Sequence, residues 1–112
     1  MNNIDFKTWE NIDIRSGTII KVEEFPRTKK PAYKVWVDFG KELGIKKTSA
    51  QITVNYSPEK LLGKTVIGIV NLLPRNIAGF ISEFLLLGIS DYQGNIFLIT
   101  TEQKVPNGQK VC

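Results

Sequence analysis

The sequence predicts an all-β protein: a five-stranded barrel with one short helix between the third and fourth strands. Three observations favour this fold. Short segments rich in β-branched and aromatic residues recur along the chain, glycine and proline separate them, and one segment alternates strictly between apolar and polar residues. The length of 112 residues suits one domain, so we assign residues 1–112 to a single unit.

The first half of the chain predicts three strands. β-branched residues dominate 14–25, which we expect to be one long strand, and a proline-bracketed turn follows at 26–31. The next strand shows the alternation: Tyr33, Val35, Val37 and Phe39 share one face, and Lys34, Trp36 and Asp38 share the other. A third strand is expected over 45–54. The alternation places the apolar set of the second strand in the core.

The second half predicts the helix and the last strands. Ser57 is a suitable N-cap, Pro58 suits the first helical position, and Gly63 ends the turn. The other expected elements are strands over 65–72, 81–88 and 96–101, a loop at 74–80, and a helical turn over 3–9 before the barrel. The order is thus three strands, a helix, two more strands and then an extra hairpin that ends in the strand over 96–101. A single helix between the third and fourth strands is the layout of the OB-fold, a five-stranded, partly open barrel that binds oligonucleotides.

The composition narrows the possible chemistry. The chain has no histidine and one cysteine, Cys112, which excludes histidine-based triads, histidine metal sites and an internal disulfide. No GxxxxGK[ST] phosphate loop occurs, and the adjacent Glu23 and Glu24 point to opposite faces of a strand. We therefore expect no enzyme activity, no metal and no cofactor.

Several features indicate a cytoplasmic protein. The near absence of cysteine suits a reducing compartment. The first ten residues lack the apolar run of a signal peptide. The longest apolar run, 84–87, is far shorter than the ~20 residues that a membrane span needs. We expect no membrane insertion.

Positive charge is concentrated in one segment. Residues 27–47 contain seven lysines and arginines against two acidic residues, a net charge of +5, whereas the rest of the chain has eight bases and nine acids. A local excess of this kind can attract a polyanion, and a solvated basic loop would have the same composition. The charge alone does not decide between them.

Several short motifs resemble one family. Residues 13–19 read DIRSGTI, 32–35 read AYKV, 38–40 read DFG, 47–52 read KTSAQI and 71–83 read NLLPRNIAGFISE. In this order they resemble the motifs of stand-alone tRNA-binding domains. The SAQI and PNG pieces resemble the CsaA-type branch, whose members are dimeric secretion chaperones built on that domain.

The resemblance implies an OB-fold homodimer whose subunits join through N- and C-terminal extensions to the barrel. It implies two classes of partner: tRNA or other structured RNA on the barrel face, and unfolded or pre-secretory polypeptides held by a chaperone. We therefore expect a CsaA-like binding protein, which is a chaperone for exported or unfolded polypeptides with a tRNA-binding OB-fold. The alternative is a general, structure-specific tRNA-binding module without a chaperone role. The chain departs from many RNA-binding relatives at Phe84 and Leu85, where those proteins carry methionine nearby.

Ten residues form the candidate site for nucleic acid or peptide: Lys34, Trp36, Lys46, Lys47, Ser49, Asn71, Arg75, Ser82, Glu83 and Leu85. The lysines and Arg75 would neutralise phosphates, Trp36 would stack on a base or a peptide side chain, and Leu85 would add an apolar contact. The four polar residues would supply hydrogen bonds. Structural alternatives stay open: Trp36 could pack at a loop or dimer interface, and a Glu83–Arg75 ion pair could hold the 71–83 loop.

Overall fold

A computed structural model describes residues 1–112 and contains nine strands and three short helices. The elements, in chain order, are α1 (Phe6–Glu10), β1 (Ile14–Glu24), β2 (Tyr33–Asp38), α2 (Gly40–Leu43), β3 (Ile45–Ala50), α3 (Pro58–Leu61), β4 (Thr65–Ile69), β5 (Arg75–Ile77), β6 (Phe80–Ser82), β7 (Leu85–Leu86), β8 (Gly88–Ser90) and β9 (Ile96–Leu98). Five strands form one antiparallel sheet in the order β3–β2–β1–β4–β7, and β5–β6 and β8–β9 form separate hairpins. The sheet curls into a nearly closed barrel. The predicted OB-type fold, with the short helix α3 between β3 and β4, is confirmed.

One face of β2 forms the centre of the core. Val35, Val37 and Phe39 are 0% exposed, as the alternation predicts. Side chains from the neighbouring elements complete the core cluster, among them Ile19, Leu61, Val66 and Phe84. Because β2 lies between β1 and β3, its other face becomes the middle of the surface that these three strands present outward.

The barrel closes where the chain after β6 reaches β3. The Glu83 N–H donates to the Lys47 carbonyl oxygen at 2.8 Å, and Thr48 Oγ1 donates to the Phe84 carbonyl oxygen at 2.8 Å. These bonds connect two parts of the sheet that no strand ladder joins. They also explain why the single strand predicted over 81–88 is wrong: the chain turns inward at Glu83, and the segment divides among β6, β7 and β8.

The C-terminal segment, residues 108–111, hydrogen-bonds to the first residues of β1, which do not pair with β2. The Ser16 N–H donates to the Gln109 carbonyl oxygen at 2.9 Å, and the Ser16 carbonyl oxygen accepts from the Gly108 N–H at 2.8 Å. Arg15 Nη1 donates to the Gly108 carbonyl oxygen at 3.0 Å, and Arg15 Nε lies 2.6 Å from Asp13 Oδ1. The hydrogen bond to Asp13 raises the pKa of Arg15 above its usual value. These bonds to Gly108 and Gln109 fasten the C-terminal segment to the barrel, and the ion pair with Asp13 holds the Arg15 guanidinium in place.

Other differences from the prediction lie at the ends of elements. The strands predicted over 45–54, 65–72 and 96–101 end earlier, at Ala50, Ile69 and Leu98. Ile52 and Val70 are buried although they follow the ends of β3 and β4, so the apolar pattern extends beyond the hydrogen-bonded ladder. The expected loop at 74–80 is wrong, since it contains β5 and the start of β6, and α2 is not predicted.

At the N-terminus, α1 begins later than the helical turn predicted over 3–9, because the Asp5 side chain caps it by accepting from the Thr8 N–H at 2.8 Å. None of the three helices has the length and apolar character needed to cross a lipid bilayer.

Candidate nucleic-acid interface

The outer face of β1, β2 and β3 carries two rows of cross-strand partners. In the first row, Trp36 of β2 pairs with Lys21 of β1 on one side and with Lys47 of β3 on the other. The second row consists of Glu23, Lys34 and Ser49. Partners directly opposite in an antiparallel pair present their side chains on the same face. The register therefore places one indole between two lysines, with a third lysine in the adjacent row.

Phe80 of the β5–β6 hairpin lies over this face. Its ring centroid is 6.0 Å from that of Trp36 and 5.5 Å from that of Phe25, both in edge-to-face geometry. The ammonium nitrogens of Lys34 and Lys47 lie 5.1 and 5.3 Å from the Phe80 centroid. Phe25 is 3% exposed and supports the outer ring, whereas Phe80 and Trp36 are half-buried. We call Lys21, Lys34, Trp36, Lys47 and Phe80 the aromatic–cationic cluster.

A tight turn between β5 and β6 positions Phe80. Ala78 and Gly79 have φ values of 49° and 85°, both in the left-handed region that a two-residue type I′ hairpin turn requires. The Asn76 Oδ1 atom accepts from the Gly79 N–H at 2.8 Å, and Ile77 pairs with Phe80. The turn chemistry of the hairpin therefore sets the direction of Phe80.

Cation–π contacts and one ion pair, which joins Lys21 Nζ to Glu23 Oε2 at 3.3 Å, define the electrostatics of the cluster. The Lys21 ammonium lies 4.5 Å from the Trp36 ring centroid, and the Lys34 ammonium lies 4.9 Å from that of Phe25. Contacts of this kind contribute about 0.5–1 kcal/mol at exposed sites, so they keep the ammonium groups beside the rings. A surface with positive charges next to aromatic rings is chemically matched to a ligand that has phosphates and flat bases.

A groove of about 420 Å³ lies between β3 and the β5–β6 hairpin and brings together three of the candidate residues, Ser49, Arg75 and Leu85. Ile77 and Leu86 contribute apolar walls. Arg75 is exposed and belongs to neither of the two ion pairs of the molecule. Since Ser49 pairs with Lys34, the groove begins at the edge of the aromatic–cationic cluster.

Ser82 and Glu83 use their side chains within the fold. Ser82 Oγ lies 2.6 Å from Thr48 Oγ1, and Glu83 Oε1 accepts from the Lys47 N–H at 3.0 Å. The Glu83–Arg75 ion pair considered above is wrong, because the carboxylate is turned toward β3 and the ion pairs join other residues.

Lys46 and Asn71 lie outside the cluster and the groove. Lys46 pairs with the core residue Val37, so its side chain starts from the opposite face of β3. Asn71 Nδ2 donates to the Asn11 carbonyl oxygen at 2.7 Å, and its Oδ1 accepts from the Asp13 N–H at 3.0 Å. Asn71 therefore joins the chain after β4 to the connection between α1 and β1.

Two members of the cluster, Lys21 and Phe80, are not among the ten candidate residues. The pairing of Lys21 with Trp36 could not be predicted from the sequence. An irregularity in the β1–β2 ladder between Ile19 and Lys21 shifts the register, and no residue pattern indicates it. A signal for Phe80 was present: a glycine-containing turn between two short β-forming segments indicates a hairpin. No three or more Asp, Glu, Cys or His side chains are grouped to hold a metal ion.

Comparison with known proteins identifies the family. The model of the tRNA binding domain family matches residues 14–110. The chain belongs to this family. Its fold is that of the crystal structures of chaperone CsaA from Bacillus anthracis strain Ames (40% identity, TM-score 0.93, 99% of this chain and 100% of that chain) and from Picrophilus torridus (42% identity, TM-score 0.91, 98% and 100%). This tRNA-binding domain is thus CsaA-like over nearly its whole length.

Curated relatives include much longer proteins. The chain is 38% identical over 111 residues to the methionine–tRNA ligase of Methanocaldococcus jannaschii, an alignment that covers 99% of this chain and 17% of the ligase. The ligase of Parabacteroides distasonis is 36% identical over 110 residues, which is 16% of its length. The chain therefore spans about a sixth of the curated relatives that it matches.

Proposed function

We propose that this tRNA-binding domain binds structured RNA, tRNA in particular, through the aromatic–cationic cluster and catalyses no reaction. The observation that carries the proposal is the register of the outer face, which sets Trp36 between Lys21 and Lys47 with Phe80 above them. Lysines release counterions when they neutralise phosphates, and aromatic rings with an accessible face stack on bases without regard to sequence.

The tRNA-binding family and the ligase relatives support tRNA as the RNA partner. The chain matches only a small part of each ligase, which supports a binding role rather than a catalytic one. A tRNA partner also supports the expected cytoplasmic location.

The candidate residues divide by position in this proposal. Lys34, Trp36 and Lys47 contact the RNA at the cluster, and Ser49, Arg75 and Leu85 extend the contact along the groove. Ser82 maintains the shape of the surface through Thr48. Lys46 and Asn71 have no place in the contact surface, because they lie elsewhere on the barrel.

Holding unfolded or pre-secretory polypeptide is the second candidate function. Its support is the apolar wall of the groove, together with the likeness to structures named as CsaA chaperones. Exposed apolar side chains elsewhere, such as Phe6 and Leu73, add surface that a chaperone can use. The two functions make different physical demands, since burial of apolar surface responds little to salt and phosphate contacts respond strongly.

The proposed function is tested by titrating a fluorescently labelled tRNA into the protein at about 50 and 200 mM salt. With three phosphate contacts, from Lys34, Lys47 and Arg75, the affinity is expected to fall roughly 20- to 40-fold over this range. A reduced and carboxymethylated polypeptide, titrated in parallel, serves as the unfolded ligand. If the protein binds that polypeptide tightly and without dependence on salt, and does not bind tRNA at low salt, the proposed RNA binding is wrong and the chaperone function is supported.

A further inference from the structure

The link between Glu83 and Lys47 is unusual for a barrel. In a continuous sheet, the backbone N–H and C=O of Lys47 would both pair with the backbone of a neighbouring strand. Here Glu83 meets both needs: its N–H donates to the Lys47 carbonyl oxygen at 2.8 Å, and its carboxylate Oε1 accepts from the Lys47 N–H at 3.0 Å. One side chain therefore takes the place of a backbone carbonyl in the barrel seam.

The carboxylate acts on the backbone of Lys47 and not on its charge. No ion pair joins Glu83 to any lysine or arginine, and the Lys47 ammonium lies over the Phe80 ring, 5.3 Å from its centroid. Glu83 also places a negative charge beside Lys47, which the proposed function assigns to phosphate, and a carboxylate and a phosphate repel each other. A contact between this carboxylate and a polyanion is thus electrostatically unfavourable.

We infer that Glu83 is a positioning residue, which fixes β3 at Lys47 so that the ammonium group is held over Phe80, and that it does not itself contact the RNA. This inference rests on the proposed function for the ligand, while the positioning of Lys47 is a property of the free protein. Glutamine in place of Glu83 keeps an oxygen that accepts from the Lys47 N–H and removes the charge; alanine removes both.

The test uses Glu83→Gln and Glu83→Ala in the full chain, with two readouts. The first is the NMR chemical shift of the Lys47 ε-methylene protons, which the nearby Phe80 ring moves upfield. We expect Glu83→Ala to lose this ring-current shift and Glu83→Gln to keep it. Lys34 also lies over Phe80 but is held by β2, so its ε-methylene shift should stay unchanged and serves as the internal control.

The second readout is tRNA affinity, measured well below the melting temperature of each variant. Glu83→Ala is expected to bind about fivefold more weakly than Glu83→Gln, the effect of one hydrogen-bonded contact. In a Lys47→Ala background this difference should vanish, because Glu83 then has no ammonium to position.

Each outcome decides a separate point. If Glu83→Ala keeps the Lys47 ring-current shift, Glu83 does not position the lysine and the inference is wrong. If Glu83→Gln binds tRNA as weakly as Glu83→Ala, the carboxylate contacts the ligand, which also overturns it. If the wild-type protein binds no tRNA, the proposed function fails, and the ring-current shift still decides whether Glu83 positions Lys47.

Discussion

At the scale of single residues, Arg75 separates a binding role from a structural one. It is exposed on β5, borders the groove and forms no ion pair. Arg75→Ala should therefore leave the free energy of unfolding within about 0.5 kcal/mol of wild type, as exposed substitutions usually do. Its affinity for tRNA should fall about fivefold, the effect of one charge-assisted contact.

Thermal melting and tRNA titration on the same sample check the Arg75 prediction. Lys60→Ala is the matched control, because Lys60 is an exposed cation on α3, outside the cluster and the groove. A variant that melts early yet binds tRNA like wild type would make Arg75 a structural residue. Equal losses of affinity in both variants would indicate a general effect of net charge.

Residue roles were only partly predictable from the sequence. Strict alternation is enough to assign Lys34 and Trp36 to the outer face of β2, and the structure agrees. Lys46 and Lys47 are adjacent and both basic, so charge alone treats them alike, although they start from opposite faces of β3. The role of Glu83 depends on the seam between β3 and the chain after β6, a contact between segments far apart in sequence.

At the scale of elements, the β5–β6 hairpin depends on its two-residue turn. Gly79 has a φ of 85°, and a Cβ placed there would have no heavy atom within 4 Å, so the cost of Gly79→Ala is backbone strain alone. We expect the free energy of unfolding to fall by about 1 kcal/mol. Phe80 should also become less ordered, because the turn sets its direction.

The neighbouring residue should respond in the opposite way. Ala78 has a φ of 49°, a conformation that alanine adopts at a cost and that asparagine tolerates well. Ala78→Asn is therefore expected to stabilise the protein by about 0.5 kcal/mol. Chemical denaturation of both variants is the measurement, and destabilisation by Ala78→Asn would mean that the turn is not limited by backbone conformation.

The elements themselves were more predictable than their ends. Alternation and turn residues were sufficient for β1, β2 and α3, because local chemistry determines them. The strand expected over 81–88 is divided because Glu83 and Phe84 bond to β3, and the sequence does not reveal that long-range contact. The ends of β3 and β4 were predicted too late because Ile52 and Val70 are apolar and buried. Both residues lie in loops beyond the last hydrogen-bonded pair of their strand.

At the scale of the whole molecule, we expect a homodimer joined through the terminal extensions. Phe6 of α1 is 82% exposed, and Ile4 and Trp9 line the same surface cleft. A two-fold interface is the commonest way to cover such a surface. Sedimentation equilibrium at micromolar concentration should therefore give twice the chain mass of 12.6 kDa.

Phe6→Ser should shift the protein toward monomer, because it removes an apolar side chain from that surface. Val54→Ser is the matched control, since Val54 is also apolar and 70% exposed but lies between β3 and α3. A wild-type protein that sediments only at 12.6 kDa contradicts the dimer. Equal dissociation by both substitutions would move the interface away from the N-terminal extension.

The fold determines which of the positive charges of the molecule lie on the candidate interface. The excess positive charge lies in 27–47, and the fold presents part of it, through Lys34 and Lys47, on one face beside Trp36 and Phe80. If this face binds RNA, position on the barrel and not net charge alone determines which lysines matter. Lys46→Ala and Lys47→Ala change the net charge equally and differ only in the face from which the side chain starts.

The most direct measurement is the slope of log affinity for tRNA against log salt concentration for wild type and these two variants. Lys47→Ala should reduce the magnitude of the slope by about 0.7–0.9, the value for one lost phosphate contact. Lys46→Ala should leave the slope unchanged. Equal reductions in both variants, or no reduction in Lys47→Ala, would contradict RNA binding at the aromatic–cationic cluster.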